Sequence, residues 1–221
     1  WMKTSVKRSA LLNNRTIEVI PNTLETDIFH PSQRVTSDNF IMLSGFMPSR
    51  LDSHKGTSYL LEALQIFASM PGVDPQQVEL RIFGNRQEVE IDSPFRITFM
   101  GVIKNDEQLA QTYASADAFL APSLEDNLPY TVMESLACGT PVVAFTTGGI
   151  PDMVKHQQNG YLAQYRSAED LARGMHWIYQ QKNNDTIRSN ARETIMNGFS
   201  EQVIAEKHIA LYRKVLEERN A

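Results

Sequence analysis

Two carboxylates, Asp126 and Glu134, stand eight positions apart on either side of a segment suited to start a helix. The apolar residues 118–121 read as a short strand that stops at Pro122. A polar loop follows, then Pro129, which suits the first turn of a helix because its missing N–H has no intrahelical partner to lose. The free backbone N–H groups of that turn point toward the strand ends. With the helix dipole they make a seat for an anion. The amides around Leu128, Pro129, Tyr130 and Thr131 can therefore hold a diphosphate. Glu134, about one turn inside the helix, can accept both hydrogens of a ribose diol, because an ionised carboxylate only accepts. Asp126 can take hydroxyls of a sugar beyond the phosphates. The set fits a nucleoside diphosphate sugar. A second reading uses the same spacing: Asp126 or Asn127 caps the helix, and Glu134 is a solvated helix residue. Spacing alone leaves both open.

The surrounding elements must place these groups. Strand-like apolar runs, at residues 40–43, 78–83, 96–100, 118–121, 142–145 and 161–163, alternate with helix-length amphipathic ones. The helical patterns cover residues 57–68, 106–116, 129–137, 168–180, 185–196 and 200–218. Ser200 is a reasonable N-cap for the last of these. Residues 32–37 and 84–93 read as loops. The first residues read as a helix already under way, and residues 16–20 as a strand. Strands alternating with helices mean βαβ units and a parallel sheet. The strands are apolar on both faces, as buried parallel strands are. The expected fold is α/β, a Rossmann-like doubly wound parallel sheet, which binds ligands beyond the carboxyl ends of its strands.

Composition narrows the partners. The 221 residues are 42% hydrophobic and 21% charged, ordinary for a globular chain, with a net charge of −5. Nucleic acid, which wants a basic surface, is not expected as a partner. Lys3, Lys7, Arg8 and Arg15 gather near the start, either as a solvated helix face or as a contact for an anionic membrane surface. No apolar stretch approaches the roughly 18–20 residues that span a bilayer, and no signal peptide is visible. The one cysteine, Cys138, excludes an internal disulfide and sits in an apolar run, so it reads as a small buried hydrophobe. The expected location is cytoplasmic, with a peripheral place at the inner face of a membrane open to it. Trp1 ahead of Met2 suggests a piece of a longer protein.

The stretch from Asp126 to Phe145, with Glu134-Ser135-Leu136-Ala137-Cys138-Gly139-Thr140-Pro141-Val142-Val143-Ala144 inside it, resembles the signature of retaining GT-B glycosyltransferases, group 1. These include bacterial enzymes that build capsules, lipopolysaccharide and exopolysaccharide. Their acidic pair is written E-x7-E, and here it reads D-x7-E, one methylene shorter at Asp126. The resemblance extends to Val19-Ile20-Pro21-Asn22 and Asp27-Ile28-Phe29-His30-Pro31 as the hinge, and to Phe99-Met100-Gly101, Tyr113, Ala116-Asp117-Ala118 and Pro122-Ser123. It ends with Gly148-Gly149-Ile150-Pro151-Asp152 and Asn159-Gly160-Tyr161-Leu162. It implies one half of a GT-B fold. Residues 1–22 would end an N-terminal region and hinge, residues 23–199 would bind the nucleotide sugar, and residues 200–221 would be a helix packing toward an absent N-terminal domain.

The resemblance also implies a basic partner for the diphosphate. Lys55, before Gly56, matches the family's phosphate lysine, against the plainer reading of a surface lysine at a helix start. The family's arginine is missing, because Phe46 follows Gly45 at the end of the first strand. Arg50, in a loop longer than usual, is the candidate substitute. Gly101, Val102 and Ile103 are candidate base contacts, unless Gly101 simply ends its strand. Gly148-Gly149 either admits close approach of a ligand or makes a plain turn. The histidines, His30, His54, His156, His176 and His208, lack metal-binding spacing, and no calcium loop is present, so no metal and no cofactor are expected.

The expected function is transfer of a hexosyl group, with retention, from a UDP- or GDP-sugar to a saccharide or lipid-linked acceptor. This piece alone would be nearly inactive. Two rivals stand: a nucleotide-sugar epimerase on the same fold, and a non-catalytic nucleotide-sugar-binding module.

Overall fold

Alternate residues of each central strand enter opposite hydrophobic cores, and that alternation organises the structure. The computed structural model describes residues 1–32, 38–45, 53–84 and 91–220. The strands are β1 (Phe40–Ser44), β2 (Val78–Phe83), β3 (Arg96–Gly101), β4 (Ala118–Ala121), β5 (Val142–Phe145) and β6 (Gly160–Ala163). All pair in parallel, in the order β3-β2-β1-β4-β5-β6. The helices are α1 (Met2–Lys7), α2 (Thr57–Ala68), α3 (Asp106–Ala114), α4 (Tyr130–Ala137), α5 (Ile150–Met153), α6 (Ala168–Gln180), α7 (Asp185–Gly198) and α8 (Glu201–Asn220).

Phe40, Met42, Leu120 and Val143 pack under α2 and α6. Ile41, Leu43, Phe119 and Val142 pack on the other face, against α3, α4, α5 and α7. A strand side chain points to one face and its neighbour to the other, so period-two burial on both faces requires helices on both. The doubly wound fold read from the sequence is the one observed.

Local signals set the helix starts. Asn105, Ser167 and Asn184 cap α3, α6 and α7 by accepting from Gln108, Asp170 and Thr186 amides at 2.8, 3.1 and 3.1 Å. Arg192 of α7 donates to the carbonyls of Thr26, Phe29 and Ala137 at 3.1, 2.6 and 3.2 Å, and so ties the segment before β1 to the end of α4.

Three expectations need correction. Residues 16–20 form no strand, because no strand lies beside them among the described residues. Glu18 instead meets Lys3 and Lys214 at 4.0 and 3.4 Å. β3 is not buried on both faces: Arg96 and Met100 are exposed, while Ile97 and Phe99 pack against the core under α2 and α6; β6, at the opposite edge of the sheet, is nearly all buried. The Ser200 hydroxyl does not cap α8 but donates back to the Met196 carbonyl at 2.8 Å.

Strand order reverses direction between β1 and β4. There the crossovers leave to opposite sides and open a crevice at the carboxyl ends.

Candidate functional site

Three turns meet at that crevice, and backbone contacts lock them together. After β1, the chain enters a single 3-10 turn (Ser53–Lys55) before α2. After β4, it forms the loop 122–129 before α4, and after β5 the turn 146–149 before α5. The Leu124 amide donates to the His54 carbonyl at 2.7 Å. The Thr147 hydroxyl donates to the Leu124 carbonyl at 2.9 Å. Gly56 has a φ of +66°, and a Cβ there would overlap the Pro122 carbonyl oxygen. Gly148 has a φ of +52°, and a Cβ there would overlap the Asp126 carbonyl oxygen. Gly149 packs as closely on the Asn127 carbonyl. The close approach permitted by Gly148-Gly149 is thus to the protein's own acidic loop.

The crevice brings together Gly45, Lys55, Asp126, Pro129 and Thr131, beside Ser123. Asp126 is half-buried and Lys55 exposed. Their cavity measures about 70 Å³, far below the roughly 300–1,000 Å³ of sites that enclose a small molecule. The described residues therefore form a wall with a notch in it.

α4 presents its N-terminus here. Pro129 is the N-cap residue, in extended conformation, and no side chain caps the helix. The alternative in which Asp126 or Asn127 serves as the cap is thereby removed, leaving the Asp126 carboxylate available. The Val132 and Met133 amides donate to the Pro129 carbonyl at 3.1 and 3.3 Å. An anion at this end would meet the amides of Tyr130 and Thr131 first, with Leu128 before them and Pro129 contributing none. Helix α1 also reaches this loop, where the Trp1 indole N–H donates to the Asn127 carbonyl at 3.4 Å.

Glu134 is no solvated helix residue. It is half-buried, and its Oε2 accepts the Tyr113 hydroxyl at 2.8 Å. Burial pushes its carboxyl above the usual glutamate range; the Tyr113 hydrogen bond pulls it back, and the charge of Asp106 adds to the rise. Burial, then the Glu134 charge, pushes the Tyr113 phenol well above its ordinary value. Cys138, at the far end of α4, is buried and its thiol is pushed up to about 12, chiefly by burial. It behaves as the inert hydrophobe the sequence suggests.

Gly101, Val102 and Ile103 lie outside this crevice, at the end of β3, two strands from β1 along the same carboxyl edge. The Gly84 amide donates to the Gly101 carbonyl at 2.8 Å. Between them and Gly45 stands Phe83, whose ring lies where a Cβ on Gly45 would point. Arg50 lies outside the described residues. Sequence reasoning missed Phe83 and the polar end of Tyr113. Tyr113 fits the helical apolar pattern, but a buried tyrosine needs a partner for its hydroxyl, and that was the available signal. Among the described residues, no group of three His, Cys, Asp or Glu side chains is arranged to hold a metal ion.

A doubly wound sheet with a lysine turn and an acidic, helix-opening loop at its switch point is the architecture of one half of a GT-B glycosyltransferase. Residues 43–181 match the family described as glycosyl transferases group 1, and the chain belongs to that family. It is 26% identical over 178 residues to an uncharacterised glycosyltransferase of Methanocaldococcus jannaschii, covering 76% of this chain and 44% of that protein. The chain thus spans less than half of that relative. Among solved structures, sucrose-phosphate synthase from Thermosynechococcus elongatus superposes with a TM-score of 0.75 at 24% identity, over 98% of this chain and 57% of that one. HepE from Anabaena, solved in complex with UDP-glucose, superposes with a TM-score of 0.65 at 25% identity, over 87% and 57%.

Proposed function

We propose that this chain is the donor-binding part of a retaining glycosyltransferase that moves a hexosyl group from a nucleoside diphosphate sugar to a saccharide or lipid-linked acceptor. One observation carries the reading: Lys55, Asp126 and the N-terminus of α4 line a single crevice at the switch point of the sheet. Family membership supports transfer over epimerisation or mere binding. A UDP-sugar is the first donor to test, since HepE was solved with UDP-glucose.

As the bond to the anomeric carbon breaks, negative charge grows on the leaving diphosphate. Lys55 and the Tyr130 and Thr131 amides would stabilise that charge from fixed positions, which is how preorganised dipoles lower a barrier. Asp126 would hold the transferred sugar, and Glu134 would hold the ribose. The base would lie along the carboxyl edge toward Gly101, Val102 and Ile103. No metal enters this scheme, and no covalent nucleophile is assigned. Residues 1–22 would form the hinge side and α8 would pack toward a second domain. A cytoplasmic place fits such donors, and exposed Lys3, Lys7, Arg8 and Arg15 would favour contact with an anionic membrane carrying the acceptor.

Calorimetric titration with UDP, GDP, ADP and their hexose conjugates tests the reading. One nucleotide class should bind, and Glu134→Ala and Lys55→Ala should each weaken it by about tenfold or more, the worth of one charge-assisted contact. A folded chain that binds none of them, or binds equally well with both substitutions, would sink it.

A further inference from the structure

Tyr113 is the second-last residue of α3, and none of it reaches solvent. Its ring stands edge-on to Phe83 at 5.7 Å and 85°, and to Phe119 at 5.4 Å and 77°. The Thr140 hydroxyl donates to its carbonyl at 2.7 Å. Neither ring nor backbone has room to turn, so the core fixes the direction of its hydroxyl. That hydroxyl donates to Glu134 Oε2 at 2.8 Å. A buried phenol needs some acceptor, but any backbone carbonyl would satisfy it. This one takes hold of a flexible side chain one turn inside the helix that opens the crevice, and occupies only one of its two oxygens.

We propose that Tyr113 is a positioning residue of the donor site: held by Phe83 and Phe119, it pins Glu134 Oε2 from the core side, so that Oε1 is presented to the ribose hydroxyls. The inference rests on the reading of Glu134 as the ribose anchor. A tyrosine that merely satisfies its own hydroxyl would affect melting and nothing in the ligand.

The ligand can be made to report. This chain is titrated with UDP, GDP and ADP and with the 2′,3′-dideoxy form of each. For the nucleotide that binds, the ratio of dideoxy to ribo Kd measures the ribose contact, on the order of tenfold for one charge-assisted hydrogen bond. Tyr113→Phe keeps the ring and should drop that ratio toward one, as Glu134→Ala does, while the dideoxy nucleotide binds within about twofold of its original affinity. Lys55→Ala should weaken both forms and leave the ratio. Should Tyr113→Phe fail to fold, 4-aminophenylalanine at position 113 keeps the volume and a weaker donor, and the ratio should fall part of the way.

An undiminished ratio in either folded variant, beside a ratio of one in Glu134→Ala, overturns the role of Tyr113 and leaves the anchor standing. A ratio of one in the unsubstituted chain, or no binding at all, removes the anchor and the inference together.

Discussion

At the scale of single residues, Glu134 carries the clearest electrostatic signature. Burial raises its carboxyl above the ordinary glutamate range. Donor binding through the carboxylate should therefore weaken as pH falls through a midpoint above that range, and this pH dependence should fade in Tyr113→Phe, which no longer presents the carboxylate to the ribose. Calorimetry from pH 4 to 8 reads both; a flat profile in the unsubstituted chain, or an undiminished one in Tyr113→Phe, would contradict them. Stability runs the other way. A raised carboxyl favours the protonated folded form, so the fold loses stability as pH rises through that raised pKa. Glu134→Gln removes this cost. It should melt higher than the unsubstituted chain at pH 7 to 8, with the gain gone below the ordinary glutamate pKa, while nucleotide binding falls. Asp126 and Glu134 could be singled out because a polar loop and a helix start mark them in one dimension, whereas Lys55 entered through the family resemblance. The Tyr113 hydroxyl was not, because periodicity assigns a whole side chain to the core and says nothing of its tip.

At the scale of elements, two glycines fasten the site's turns. Gly56→Ala and Gly148→Ala each force a Cβ into a backbone carbonyl at positive φ. Each should cost about 2–4 kcal/mol, read from urea midpoints. Gly148→Ala should also weaken donor binding, because the Asp126 loop must move. Gly198→Ala, at the end of α7 with open space around it, should change stability by no more than about 0.5 kcal/mol. The central strands and most helices were readable to within a residue or two, since burial on two faces leaves a continuous apolar run bounded by Gly and Pro. Residues 16–20 misled because β-branched composition alone cannot supply a neighbouring strand. The half-exposed β3 misled because how far helices cover a strand's faces is set by tertiary packing, which local pattern does not contain; β6, also at an edge, is nearly all buried. The same holds for the Gly148-Gly149 contact, which joins residues 21 to 22 positions apart through the third dimension.

At the scale of the whole molecule, α8 contributes no residue to either core, and among its described apolar residues Ile204 alone is buried. Ile209, Tyr212, Val215 and Leu216, at helical spacing, are 48%, 61%, 53% and 58% exposed. This exposed surface should make the chain self-associate with rising concentration. Sedimentation velocity should show a weight-average that climbs with loading, and Tyr212→Glu with Leu216→Glu should restore a monomer whose donor affinity is unchanged. The distribution of thiols gives the molecule one more property. Cys138 is the chain's only cysteine. It is 1% exposed, at the end of α4 opposite the crevice, and held up to about 12. A thiol-trapping dye can reach it only when the packing of α7 and of the segment around Pro31 over the end of α4 opens. Each molecule thus carries a built-in stopwatch: its labelling half-life counts how often that layer parts, and a nucleotide seated at the other end of the same helix should make the watch run slow.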